Sequence, residues 1–316
     1  MSATTTPTTR RISSPAVSPA VSPSLQPAAH LVRAAGLDPD EVLRLLRLTL
    51  AEDLGERGDV TSEATVPADA ALAVQWVARQ PGVVAGLPIL ATLVEDRLGL
   101  AVTVVAHDGD RVGPGDVLAS VTAPARGLLE IERTSLNLLG HLSGVATLTR
   151  AWVDAVAGTG ARIRDTRKTM PLLRSLQKYA VRCGGGVNHR AGLHDAVLVK
   201  DNHVAAAGGV GVALDAVHAA HPRGDLVVQV EVDDLDQLRE ALAHGATQVL
   251  LDNMPPALLR EAVELTRATA PGVLLEASGG LTLDAARVVA ETGVDFLAVG
   301  ALTHSAPQLD IGLDVT

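Results

Sequence analysis

Four short apolar segments decide the fold of this chain: LVVQVEV (residues 226–232), QVLLD (248–252), VLLEA (273–277) and VDFLAV (294–299). Their starts lie 21 to 25 residues apart, and the stretches between them have helical periodicity. Two earlier segments, 161–165 and 196–200, have the same character. Repeated strand–helix units indicate a parallel sheet. Because a complete barrel has about eight strands, the sequence predicts an open, incomplete α/β barrel of about six, over residues 137–304.

The residues before the barrel divide into a leader and a smaller domain. Residues 1–30 contain only Arg10 and Arg11 as formal charges and are rich in Ser, Thr, Ala and Pro. This composition predicts a disordered leader, because little apolar surface is available to offset chain entropy. An inert tail and an organelle transit peptide both fit it. Residues 31–136 combine a helical pattern with short alternating segments, which predicts a small sheet domain, and we expect residues 305–316 to join it.

Composition excludes several classes of protein. Aromatic residues make up 1% of the chain and the net charge is −10, so stacking platforms and broad basic faces for nucleic acid are missing. The single cysteine, Cys183, permits neither an internal disulfide nor a cysteine metal cluster. No apolar run approaches the roughly 20 residues of a membrane span. We therefore expect a cytoplasmic protein without nucleic-acid or membrane partners.

Basic side chains are concentrated in one segment of this acidic chain. All three lysines lie between residues 168 and 200, and four arginines accompany them against one acid, Asp195. Such clustering of like charge indicates a small ligand with several negative charges. Within this segment Arg174, Lys178 and Arg182 recur every four residues, and we expect that stripe to be solvated or to contact another subunit.

Polar residues follow each of the six predicted strands. In a parallel barrel the reactive groups lie at these carboxyl ends, because the loops there converge on one mouth. The residues concerned are Asp165, Thr166, Arg167, Lys168, Lys200, Asp201, Asn202, His203, Glu231, Asp252, Asn253, Ser278, Gly279, Gly280, Gly300 and Ala301. We predict that they meet around one site.

The residue types at this rim suggest specific roles. Arg133, Arg167 and Arg190 offer planar forks for carboxylates, and His189 is a hydrogen-bond donor to substrate. Lys168 and Lys200 suit phosphate or developing carbanion charge. Glu231 and Asp252 suit Mg²⁺, usually held through water, or a ribose hydroxyl.

The end of the predicted site is expected to hold a phosphate. Ser278, Gly279 and Gly280 precede Thr282, a predicted helix N-cap, and Gly300 ends the neighbouring strand. Backbone N–H groups of a glycine loop can approach an anion closely, and a helix N-terminus favours negative charge.

Seven motifs together resemble the quinolinate phosphoribosyltransferase family from about residue 40 to 314. They are ERTSLN (132–137), DTRKT (165–169), GGGVNHR (184–190), KDNH (200–203), EV (231–232), LDN (251–253) and SGG (278–280). The resemblance implies an N-terminal α/β sandwich, an open α/β barrel, and a homodimer whose active sites are shared between subunits. It also implies condensation of quinolinate with phosphoribosyl pyrophosphate, giving nicotinate mononucleotide, pyrophosphate and CO₂ for NAD synthesis.

The resemblance assigns roles to residues of this chain. It implies that the quinolinate carboxylates are bound by Arg133 of the partner subunit together with Arg167, His189, Arg190 and Lys200. Lys168 would face the pyrophosphate, Glu231 and Asp252 the ribose and Mg²⁺, and Ser278, Gly279, Gly280 and Gly300 the 5′-phosphate. Thr166 and Ala301 are further expected substrate-binding residues. Lys168, Lys200, Glu231 and Asp252 are the expected catalytic residues.

Two other functions stay open at this point. One is a related pyrophosphorylase that acts on a different nitrogenous acceptor. The other is a phosphate-sensing barrel without catalytic activity.

Overall fold

The structure is a computed structural model and describes residues 28–316. The predicted leader lies outside the described residues except for residues 28–30. These three begin a helix, Ala28–Ala34, in which Ala28 and Val32 are buried. No single helix in the described part of the chain has the length and apolarity to cross a membrane; only the bent pair Asp201–Ala207 and Val210–Ala220, counted together, reaches both.

The N-terminal part packs helices on an antiparallel sheet. Its helices are α1 (Ala28–Ala34), α2 (Pro39–Leu54), α3 (Val60–Thr65) and α4 (Leu87–Leu98). Its strands are β1 (Ala71–Ala78), β2 (Gly82–Val83), β3 (Thr103–Val104), β4 (Arg111–Val112) and β5 (Val117–Pro124). The main sheet has the order β12-β1-β5-β3, in which β12 is the C-terminal strand Ile311–Val315. From the sequence, residues 305–316 are expected to join this domain. In the structure, strand β12 pairs with β1 of the first sheet.

The second part is an open parallel barrel. Its strands are β6 (Arg162–Arg164), β7 (Val197–Val199), β8 (Val228–Val232), β9 (Gln248–Asp252), β10 (Leu274–Ser278) and β11 (Phe296–Ala298). Its helices are α6 (Arg174–Cys183), α7 (Asp201–Ala207), α8 (Val210–Ala220), α9 (Leu235–Ala243), α10 (Pro256–Thr269), α11 (Ala286–Ala290) and α12 (Ala301–His304). The strand order is β6-β11-β10-β9-β8-β7, open between β6 and β7. The predicted fold class, with six strands and an incomplete barrel, is confirmed.

One long helix, α5 (Ala125–Ala155), connects the two parts. Leu128 and Ile131 in its first two turns are fully buried, so its apolar face begins close to the N-terminal end of the helix. The predicted boundary between residues 136 and 137 falls inside this helix. Trp76 of β1 is fully buried and its indole N–H donates to Ser135 Oγ (2.9 Å), which ties the first sheet to α5.

The seam between β6 and β7 is partly filled by the chain that follows α6. Val187 forms a parallel bridge with Arg164 and donates its N–H to Ile163 O (2.8 Å). A guanidinium nitrogen of Arg190 donates to Ala196 O (3.1 Å), just before β7. The segment 184–190 is therefore positioned along β6, and its last residues enter the barrel mouth.

Candidate active site

A cavity of about 520 Å³ opens at the carboxyl ends of the barrel strands. Eleven of the predicted site residues line it: Thr166, Arg167, Lys168, His189, Arg190, Lys200, Glu231, Asp252, Ser278, Gly279 and Gly280. Leu198, Leu250, Ala298, Asn253 and Glu276 complete the lining. Side chains alternate along each strand, so Leu250 and Glu276 face this cavity while Val249 and Leu275 face the helices. The structure thus brings most of the predicted rim together.

Among the residues given substrate roles, three do not line this cavity. Arg133 lies exposed on α5, beside Glu52 and Asp53, in a separate cavity of about 310 Å³. Gly300 lies behind Lys168, where an added Cβ would stand 3.0 Å from Lys168 Cδ. Ala301 is the first residue of α12. Of the other predicted rim residues, Asn253 lines it, whereas Asp165 is buried beneath it and Asp201, Asn202 and His203 lie exposed on α7.

The glycine loop after β10 turns through left-handed backbone conformations. Gly279 has φ +92° and an added Cβ there would lie 2.1 Å from Asn253 Oδ1. Asn253, itself at φ 53°, donates its N–H to Ser278 O (2.9 Å). The loop after β10 is therefore in close contact with the loop after β9, and only glycine fits at position 279.

The predicted helix N-cap at Thr282 is wrong. Residues 282–286 form i to i+3 bonds, from Ala285 N to Thr282 O (3.1 Å) and from Ala286 N to Leu283 O (3.1 Å). The α-helix begins only at Ala286. The anion-binding character of this loop therefore rests on its own backbone and not on a helix that starts at Thr282.

A buried ion pair holds the segment that carries His189. Lys178 Nζ lies 2.5 Å from Asp165 Oδ1, and the two side chains are 6% and 0% exposed. Asp165 also accepts from the backbone N–H of His189 (2.7 Å) and from Asn188 Nδ2 (2.6 Å). Lys178 in turn donates to His189 O (2.9 Å). Through these hydrogen bonds, both members of the ion pair position the segment that carries His189.

The expectation of a stripe at Arg174, Lys178 and Arg182 that is solvated or contacts another subunit is wrong at Lys178. Lys178 is buried in the ion pair just described. Arg174 donates to Thr169 Oγ1 (3.0 Å) and to Ala191 O (3.0 Å). Arg182 donates to Asn188 Oδ1 (2.9 Å). Lys178 is internal because segment 184–191 folds back over α6, which helical periodicity alone does not show, whereas Arg174 is half-buried and Arg182 is exposed.

His189 is an uncharged group at neutral pH. Burial first, and then the positive charges of Arg164 and Lys178, lower the pKa of His189 to about 4. Its Nδ1 accepts the N–H of Arg190 (2.7 Å), which leaves the proton on Nε2. Nε2 lies 3.6 Å from Glu276 Oε1, beyond hydrogen-bond range. His189 can therefore donate a hydrogen bond into the cavity.

Charges of both signs meet on the opposite wall. Lys200 Nζ lies 2.8 Å from Glu231 Oε2. Burial, and then the neighbouring carboxylates of Glu231 and Asp233, raise the pKa of Asp252. Carboxylates that repel each other in this way favour a cation between or beside them.

The floor of the cavity contains residues that the sequence analysis missed. Glu276 is 1% exposed and its Oε2 accepts from Arg164 Nη1 (2.6 Å). Arg164 stacks over Phe296, with its guanidinium carbon 4.1 Å from the ring centre. The sequence contained a signal for these two residues. Arg164 and Glu276 are charged positions within apolar strands, and both face the barrel interior.

Two family models match nearly all of the described chain. The model for the C-terminal domain of quinolinate phosphoribosyl transferase matches residues 145–314. The model for the N-terminal domain of the same family matches residues 59–143. The two matches meet within α5.

Individual relatives agree with these family models. A carboxylating nicotinate-nucleotide pyrophosphorylase of Mycobacterium leprae (strain TN) is 54% identical over 273 residues, which is 85% of this chain and 95% of the relative. A probable carboxylating nicotinate-nucleotide pyrophosphorylase of Bacillus subtilis (strain 168) is 41% identical over 283 residues, 87% of this chain and 94% of the relative. The solved nicotinate-nucleotide pyrophosphorylase of Francisella tularensis superposes with a TM-score of 0.83 at 36% identity, and covers 89% of this chain and 98% of its own.

The buried ion pair makes a stability prediction. Lys178→Met leaves the Asp165 carboxylate buried without its counter-ion, and we expect the free energy of unfolding to fall by about 3 to 5 kcal/mol. Urea unfolding measures this change. The control is Arg260→Met on α10, where the side chain is exposed and the expected change is within about 0.5 kcal/mol. Equal losses in the two variants would contradict the role given to the pair.

Proposed function

The chain belongs to the quinolinate phosphoribosyltransferase family, and we infer that it transfers the phosphoribosyl group of phosphoribosyl pyrophosphate to quinolinate. The quinolinate loses one carboxylate as CO₂, and nicotinate mononucleotide and pyrophosphate are the other products. The chain is thus a pentosyltransferase of NAD biosynthesis. The observation that carries this inference is a cavity in which guanidinium groups with unused Nε donors face a pair of carboxylates.

The guanidinium groups support the assignment of the quinolinate end. Burial, and then the charge of Arg167, lower the pKa of Arg190. The Nε atoms of Arg167 and Arg190 are both buried without a hydrogen-bond partner in the described chain. Two neighbouring cations with unused donors fit the two carboxylates of quinolinate, each charge-assisted bond contributing about 1.5 to 3 kcal/mol. Thr166, His189 and Lys200 line the same cavity and complete the proposed pocket.

The glycine loop supports the assignment of the phosphoribosyl end. We assign the 5′-phosphate to the backbone N–H groups of Ser278, Gly279 and Gly280, which line the cavity. Gly300, which lies behind Lys168, and its neighbour Ala301 are assigned to the same end of the substrate. Lys168 lines the same cavity and is assigned to the pyrophosphate. Glu231 and Asp252 are assigned to the ribose hydroxyls.

We also propose that Glu231 and Asp252 hold Mg²⁺, mainly through water. No cluster of three or more His, Cys, Asp or Glu suited to a metal occurs within residues 28–316. Two carboxylates are nevertheless enough for Mg²⁺, which keeps several waters and takes further oxygens from substrate phosphates. When bound, Mg²⁺ neutralises charge on the departing pyrophosphate.

The residues of the cavity account for the reaction steps. The pyridine nitrogen attacks C1′ as the bond to pyrophosphate breaks, so no protein nucleophile is needed. Positive charge that develops on the ribose is stabilised by the carboxylates of Glu231 and Asp252. Loss of the C2 carboxylate then leaves an electron pair beside the cationic ring nitrogen. We assign its stabilisation to Lys168 or Lys200, the two ammonium groups that line the cavity.

A homodimer with shared sites is the proposed assembly. Arg133 is exposed and far from its own chain's cavity lining, so it is free to enter the site of a second copy. The loop beside the cavity exposes Met170, Leu172 and Leu193, and Leu172 is 76% exposed with φ 64°. An apolar surface next to the active site fits burial against the partner. A cytoplasmic location remains our proposal, consistent with the single free cysteine.

The acceptor is tested by comparing quinolinate with nicotinate in the presence of phosphoribosyl pyrophosphate and Mg²⁺. We expect one CO₂ for each nicotinate mononucleotide formed from quinolinate. Loss of one charge-assisted contact should lower kcat/KM for nicotinate by about tenfold to a hundredfold. Arg167→Ala should reduce this preference, because it removes one guanidinium fork. Equal turnover of the two acceptors, or product without CO₂, would refute the proposed reaction.

The metal is tested by chelation during turnover. With excess EDTA we expect activity to be lost, and added Mg²⁺ should restore it because the pyrophosphate charge is again neutralised. Asp252→Asn should raise the Mg²⁺ concentration required for half-maximal activity. Full activity under strong chelation would remove the metal from the mechanism.

The shared site is tested by mixing two inactive variants. Co-expressed Arg133→Ala and Lys168→Ala chains should regain about a quarter of wild-type activity, because half of the dimers are mixed and each has one intact site. Co-expressed Lys168→Ala and Lys200→Ala chains are the control. In each site both lysines come from the same subunit, so every site of a mixed dimer lacks one of them and no intact site forms. Activity recovered equally in both mixtures, or in neither, would count against sharing through Arg133.

A further inference from the structure

Glu276 lies on the floor of the cavity with one oxygen unused. Its Oε2 accepts from Arg164 Nη1 (2.6 Å), whereas Oε1 is buried and has no hydrogen-bond partner among the described residues. An unsatisfied carboxylate oxygen in the interior costs free energy, so it calls for a partner or a proton. His189 Nε2 lies 3.6 Å from it, beyond hydrogen-bond range.

The surroundings favour the protonated acid on this oxygen. Burial raises the pKa of Glu276, and the charge of Arg164 opposes that shift without cancelling it. A dianion such as quinolinate, bound in the same cavity, would raise the pKa further, because like charges disfavour ionisation. After a proton leaves, Arg164 stabilises the carboxylate that remains.

A second cavity reaches the same floor from the seam side of the barrel. It has a volume of about 260 Å³ and is lined by Arg164, His189, Arg190 and Gln229, among others. Arg164 Nε and Gln229 Nε2 are also buried without a partner in the described part of the chain. Arg164 therefore lies between Glu276 and a polar space that opens away from the substrate mouth.

The proposed reaction needs a proton donor inside the substrate cavity. Cleavage of the bond between C2 and its carboxylate releases CO₂ and leaves the bonding electron pair on C2. A new C–H bond must then form, and neither the ammonium groups nor the carboxylates at the rim were assigned to supply that proton. This step presupposes the function proposed above.

We propose that Glu276 is the acid that protonates C2 after CO₂ has left. The proton on Oε1 passes to the electron pair on C2, directly or through one water, and Glu276 becomes a carboxylate paired with Arg164. A proton from solvent, which enters through the seam cavity, restores the acid. No oxidant, reductant or further reactant is required.

Glu276→Gln tests this assignment, since glutamine keeps the shape and the contact with Arg164 but is not an acid. We expect kcat to fall by about a hundredfold or more, the usual size of a general-acid contribution. The KM values for both substrates should change by less than about threefold, because the contacts that bind the substrates equally in the ground state and the transition state are retained. Glu240→Gln is the matched control, on α9 with its carboxylate bonded to Gly211 N (2.8 Å), and should keep wild-type kcat.

A second readout separates proton donation from a structural role. Product formed in equal parts of H₂O and D₂O carries H or D at C2, and the ratio depends on the group that donates. We expect Glu276→Gln to change this ratio. A low kcat with an unchanged ratio would overturn the proposal and leave Glu276 as a positioning residue. An unchanged kcat with a raised KM for phosphoribosyl pyrophosphate would overturn it in favour of a contact with a ribose hydroxyl.

Glu276→Asp keeps the test decisive if the glutamine variant does not fold. Aspartate retains the acid on a shorter side chain, so we expect a lower kcat with the wild-type ratio of H to D. A changed ratio in this variant would contradict the assignment. Failure of the wild-type protein to form nicotinate mononucleotide would instead refute the proposed function, which separates the two outcomes.

Discussion

The ion pair between Asp165 and Lys178 is the interaction on which the rest of the site depends. The barrel is open between β6 and β7, so the segment that lies along β6 lacks the continuous ladder of a closed barrel. Asp165 and Lys178 replace that ladder with three short contacts to residues 188 and 189. Without them the imidazole of His189 and the guanidinium of Arg190 would have no fixed place at the mouth.

Like charges lie side by side at two places in the site. Arg167 and Arg190 lie on the side of β6 and the seam segment, while Glu231 and Asp252 lie at the ends of β8 and β9, with Lys200 paired to Glu231. The shifted pKa values of Arg190 and Asp252 reflect these neighbours. Adjacent like charges cost free energy, and ligands of opposite charge offset that cost at both places.

The sequence predicted the features that depend on local pattern. Strand periodicity and the regular spacing of 226–299 were sufficient for the parallel sheet, and the carboxyl ends of its strands located ten cavity residues. What failed depended on contacts distant in sequence. Lys178 appeared to lie on a solvated face, but the segment after α6 covers it. Glu276 was overlooked because its role becomes visible only when Arg164, 112 residues earlier, is placed beside it. Thr282 had the right residue type for an N-cap, yet its neighbours form a tighter turn. The domain limits and the roles of individual residues stay predictions.

The return of the C-terminal strand to the first sheet has a consequence for biosynthesis. β1 pairs with β5 on one side and with β12 on the other, and the N–H of Thr316 reaches Ala73 O (3.0 Å). On the ribosome, β1 emerges more than 200 residues before the strand that completes it. Its free edge is thus exposed throughout translation of the barrel, which invites pairing between nascent chains. Completion of the N-terminal sheet must wait until residues 311–315 have been synthesised, so a polypeptide that stalls before them would leave this sheet without its edge strand.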